Sequence, residues 1–88
     1  MGQKLYLNED VMRLVVFLHN NNLKRYKYSE LHEMRFFKDR RTLSRQLKML
    51  LDHSLVKKTA IGTNGKRYAL YEIRAWANGF AEYLKQFI

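Results

Sequence analysis

The chain contains neither cysteine nor proline. The missing cysteine excludes disulfides, thiolate metal sites and a cysteine nucleophile, and it leaves stability to packing, hydrogen bonds and self-association. No long apolar run is present either. The longest, Leu14 to Leu18, is far too short to span a bilayer, and no signal-peptide pattern precedes it. A soluble, cytoplasmic protein with no membrane partner is therefore expected. Repeats, linkers and low-complexity stretches are missing, so the 88 residues read as one domain, 1–88, with a modest core.

The signatures of catalysis are missing too. The eight carboxylates offer no acid and base pair, no glycine-rich phosphate loop occurs, and Ser44 has no histidine near it in sequence. His19, His32 and His53 lack the paired spacing of a metal site. No enzymatic activity, metal or cofactor is expected.

What the chain has in quantity is positive charge. Seventeen Lys and Arg stand against eight Asp and Glu, a net +9 that favours a polyanionic partner. The whole excess falls between residues 24 and 67, where thirteen basic residues face four acidic ones. Both flanks are neutral: Lys4 and Arg13 balance Glu9 and Asp10, and Arg74 and Lys85 balance Glu72 and Glu82. A charge meant only for solubility would be spread more evenly.

Local signals predict the elements. Asn8 is a good N-cap, and Glu9 and Asp10 suit the positive end of a helix dipole, so a first helix runs to about Asn20 with Val11, Leu14, Val15 and Leu18 on one face. Met12, Val16 and Phe17 fall outside that face. A short extended piece over Leu23 to Lys27 follows, then a brief helix over Glu30 to Met34 capped by Ser29. Asp39 caps a longer helix to about His53, with Leu43, Leu47, Leu50 and Leu51 inward and Arg41, Arg45 and Lys48 outward. Arg40 and Arg41 in its first turn oppose the dipole, at about 0.3 to 1 kcal/mol each, and such a conflict often marks a site. Leu55 to Ile61 and Lys66 to Ile73 form a hairpin about the turn Gly62 to Gly65. The last helix, Arg74 to Ile88, places Ile73, Trp76, Ala77, Phe80, Tyr83, Leu84 and Phe87 on one broad apolar face. Tyr68 and Tyr71 are expected to pack on the strands.

Helix, short strand, helix, turn, helix, hairpin, helix is the order of a winged helix-turn-helix domain. The stretch Thr42-Leu43-Ser44-Arg45-Gln46-Leu47-Lys48-Met49-Leu50, followed by Leu55-Val56-Lys57-Lys58, resembles the recognition helix and next strand of MarR-, ArsR- and PadR-like regulators. In size the chain is similar to small archaeal, plasmid or viral regulators. It departs from the pattern at Ser54, where many relatives have Gly, and at Ile73-Arg74-Ala75-Trp76, where many have a capping Thr and a later Gly.

The resemblance implies an α+β, mostly α fold: a three-helix core, a β-hairpin wing and a C-terminal helix. It implies that the 39–53 helix enters the major groove of double-stranded DNA while the hairpin tip reaches an adjacent groove or phosphates. On that basis Arg41, Thr42 and Arg45 are the base-reading residues. Lys24, Arg25, Lys27, Arg40, Ser44 and Lys48 are expected at the DNA backbone, and Lys57, Lys58, Lys66 and Arg67 form the wing cluster.

The extra apolar sides of the first helix, and Gly79 in the last, predict a homodimer through the terminal helices, with Val16, Phe17, Trp76, Phe80, Tyr83 and Phe87 at its interface. Two recognition helices about 34 Å apart would then suit a palindromic operator. The leading expectation is a sequence-specific transcriptional regulator, with repression favoured by the lack of a second domain. A non-specific architectural or nucleoid DNA-binding protein and a winged-helix protein-interaction module are the alternatives.

Overall fold

The computed structural model describes residues 4 to 88. Its class is α+β: four α-helices, about half the chain with a closing 3-10 turn, and one three-stranded antiparallel sheet. Helix α1 spans Glu9–Asn20, and the Asn8 side chain accepts the Val11 N–H at 2.9 Å as expected of its cap. Strand β1 (Tyr26–Lys27) leads directly into α2 (Tyr28–Glu33). That helix starts earlier than its expected Ser29 cap, because the Glu30 carboxylate reaches back to the Lys27 N–H at 2.7 Å and Lys27 becomes the cap.

Helix α3 (Arg40–Asp52) is capped by Asp39, whose carboxylate accepts the Thr42 N–H at 2.7 Å. At the other end, the Ser54 N–H bonds to the Leu51 carbonyl at 3.0 Å and the Leu55 N–H to the Leu50 carbonyl at 2.9 Å. Those two bonds make a Schellman motif, which requires the left-handed backbone found at Ser54, φ 58°. Serine therefore does here what glycine does more easily. Strands β2 (Val56–Thr63) and β3 (Lys66–Ile73) are joined by Asn64-Gly65 alone, with φ 50° and 79°. Two successive positive φ values define a type I′ turn, tighter than the four-residue connection expected. The strand order is β1-β3-β2.

The chain ends in α4 (Ala77–Leu84) and a 3-10 turn over Lys85–Phe87. The single broad apolar face expected over 74–88 does not form. Ile73 belongs to β3, and within α4 only Ala77, Ala81 and Leu84 are buried. The small alanines form a narrow stripe against α1, and Trp76, Tyr83 and Phe87 remain outside it at 58%, 56% and 53% exposure. Gly79 brings no other chain segment close, since a Cβ there would meet nothing within 4 Å.

One core joins α1, α3, the hairpin and α4. Helix α1 lies at its centre, touching both α4 and β3, which is why Val16 is buried at 8% exposure although it lies off the first apolar face. Phe17 packs its ring 5.2 Å from Tyr26 and 5.5 Å from Phe36. Both residues, expected at a dimer interface, belong to the intradomain core. His19 fastens α1 to α4 by hydrogen bonds to the Asn78 side chain at 2.7 Å and to the Glu82 carboxylate. Glu82 also pairs with Lys85 at 2.6 Å, and these partners, Lys85 first, hold its carboxyl below the usual range. No helix of the described residues is long and apolar enough to cross a membrane.

Candidate functional site

The amphipathic pattern of α3 decides which of its side chains are available. Leu43, Leu47, Met49 and Leu50 are buried, Leu51 is half-buried, and Arg41, Ser44, Arg45 and Lys48 are exposed on the other side. Thr42 is half-buried, with its N–H committed to Asp39. Arg40 and Arg41 oppose the dipole as expected, and neither is neutralised by an ion pair. Among the described residues the ion pairs are Arg13–Glu9, His19–Glu82 and Lys85–Glu82, so none of the lysines and arginines between Lys24 and Arg67 is paired with a carboxylate. The Asp39 carboxyl is held below its ordinary range by the Thr42 hydrogen bonds, with the positive charges of Arg41 and Arg45 adding to the effect.

Helix α2 sets the position of α3 through one side chain. The Tyr28 hydroxyl donates to the Arg40 carbonyl at 2.6 Å and lies 2.8 Å from the Ser44 hydroxyl. Because the phenol proton is already used, Ser44 donates to Tyr28, and its oxygen keeps only acceptor capacity toward anything outside. A phosphate oxygen needs a donor. Ser44, expected to contact DNA backbone, is thus better suited to joining the two helices.

Three clefts surround α3. One, of about 790 Å³, lies between the N-terminal segment and the helix and is lined by Lys4, Tyr6 and Arg45, with the Tyr6 N–H against the Met49 sulfur at 3.3 Å. A second, of about 660 Å³, opens at the α2–α3 connection, where Arg35 and Lys38 join Arg40 and Arg41. A third lies between α3 and the hairpin. Lys4, Arg35 and Lys38 are not among the site residues expected from the sequence. Only the charge of Arg35 and Lys38, inside the basic segment, could have suggested them.

The four hairpin cations do not form one cluster. Lys66 and Arg67 flank the turn opposite Thr63 and Gly62, whereas Lys58 stands opposite Tyr71, about 13 Å down the strand. Lys57, opposite Glu72, points to the other face of the sheet because neighbouring strand residues alternate. Of the cations before α2, Lys24 and Arg25 are exposed, and Lys27 places its ammonium 4.8 Å from the centre of the Tyr68 ring. Tyr71 is buried as expected, but Tyr68 is exposed and serves as this cation's platform. Among the described residues no three histidine or acidic side chains gather as a metal site would need. Compared with known proteins, the chain matches no family, no curated protein and no solved structure.

Proposed function

We propose that the protein is a winged-helix regulator that binds double-stranded DNA sequence-specifically, with α3 in the major groove and the hairpin as its wing. The observation that carries this reading is the row of exposed, unpaired cations Arg41, Arg45 and Lys48 on one side of a well-anchored helix. An α-helix fits the major groove of B-DNA, where Arg reads guanine through its O6 and N7 acceptors. Lys66 and Arg67 at the hairpin tip, and Arg35 and Lys38 before α3, supply phosphate contacts on either side. The long reach of the hairpin separates its tip cations from the α3 row, as contact with an adjacent groove requires.

Repression by occupying an operator is the simplest mode of action for this surface. The functional unit is a homodimer formed through Trp76, Phe80, Tyr83 and Phe87; a two-fold axis through these exposed aromatic rings would pair two α3 helices for a palindromic site. The test is selection from random duplexes at two salt concentrations. A two-fold-symmetric motif that survives the higher salt supports the regulator. Binding without a motif, lost steeply with salt, replaces it with an architectural protein that grips backbone charge. Absence of duplex binding leaves a protein-interaction module.

A further inference from the structure

The cleft between α3 and the hairpin has a volume of about 350 Å³ and brings together Tyr28, Ser44, Lys48, Lys58 and Tyr71 over an apolar floor. Two ammonium groups line it and no carboxylate does. Lys58 occupies an unusual register position. The pair before it on the same face, Val56 and Ile73, is buried, so this is the core-facing side of the sheet, yet its next pair is Lys58 and Tyr71. A lysine on that side, beside a second lysine from α3, leaves like charges facing one enclosed space.

Tyr71 is 7% exposed and its hydroxyl has no hydrogen-bond partner among the described residues. Burial pushes its pKa up, so the phenol keeps its proton and acts as a donor. The Tyr28–Ser44 hydrogen bond closes the wall on the α2 side without adding a donor. The remaining chemistry is two cations and one neutral donor directed at the same volume, a set matched by a tetrahedral oxyanion.

We propose that this cleft seats one phosphate of the DNA backbone, held by Lys48 and Lys58 and oriented by the Tyr71 hydroxyl. The proposal rests on the DNA-binding reading and adds to it a fixed point at the junction of helix and hairpin. Lys58 and Tyr71 are then positioning residues, which set the depth of α3 in the groove.

The experiment is fluorescence anisotropy of a selected duplex with wild type, Tyr71→Phe and Lys58→Met across a salt series. Lys58→Met should reduce the slope of log affinity against log salt by about one. Tyr71→Phe should weaken binding about fivefold with the slope unchanged, since it removes a donor and no charge. In duplexes carrying single methylphosphonates, one position should weaken wild type and leave Lys58→Met unaffected. Thermal unfolding controls for folding, and an apolar residue at a core-facing position should not lower the midpoint. Duplex binding unchanged by both substitutions overturns the proposal alone. A wild type that binds no duplex overturns the DNA reading, and the proposal with it.

Discussion

The indole Nε1 of Trp76 donates a hydrogen bond to the backbone carbonyl of Ser54 at 2.7 Å. This bond ties the residue before α4 to the left-handed residue that ends α3, and next to it the Arg74 N–H bonds to the Leu55 carbonyl at 2.9 Å. The turn out of the hairpin is thereby fixed to the C-terminal end of α3. Trp76 is therefore half structural, even with much of its ring exposed.

Ser54→Gly should stabilise the fold by about 0.5 to 1 kcal/mol, because glycine adopts positive φ without the Cβ penalty and loses some of that gain to a more flexible unfolded chain. For a domain of this size that is a rise in Tm of about 2 to 8 °C. Trp76→Phe should cost about 1 kcal/mol through the lost hydrogen bond. Calorimetry of both variants checks the pair.

Asp39→Ala should lower the unfolding midpoint at neutral pH by removing the α3 cap. The pH dependence has a definite sign. The Asp39 carboxyl titrates lower in the folded chain than in the unfolded one, so its contribution is complete above the ordinary carboxylate pKa, about 3.9, and is lost as pH falls through the folded value. Urea titrations from pH 7 down to pH 2 should show the wild type and the variant converging on the acid side. A gap that stayed constant would mean that the carboxylate charge plays no part.

Arg45→Ala should weaken duplex binding and relax preference at one base position, with a discrimination loss of about 1 to 3 kcal/mol. Lys66→Ala should weaken all sequences alike and flatten the salt dependence by about one. Selection repeated with each variant separates the two. Equal losses on every sequence from Arg45→Ala would remove it from the reading role.

Tyr83→Glu and Phe87→Glu should abolish concentration-dependent self-association in sedimentation experiments while leaving monomer stability within about 0.5 kcal/mol, since both side chains lie outside the core. Val16→Ala should do the reverse and cost about 2 kcal/mol of stability without acting on association directly. Monomeric wild type at every concentration would dismiss the dimer.

Features satisfied within three or four residues are legible in the amino-acid sequence alone. Asn8 and Asp39 cap their helices, and Asn64-Gly65 makes the hairpin turn, because the atoms they serve are near neighbours in the chain. The charge concentration between residues 24 and 67 and the outward side of α3 are legible for a similar reason, since composition and helical period need no tertiary contact. Where the pattern fails, a distant segment decides. Val16 and Phe17 lie off the first apolar face of α1, and a central helix is covered on several sides, so they are core. The last helix has a broad apolar stripe in sequence, but close approach to α1 is limited to its alanines, which leaves the aromatic rings outside. Lys57 and Lys58 are adjacent in sequence and opposed in space because the sheet pleat separates them. Only the packing of α2, α3 and the hairpin brings Tyr28, Lys48, Lys58 and Tyr71 to one cleft, since they come from four elements whose meeting no local pattern encodes.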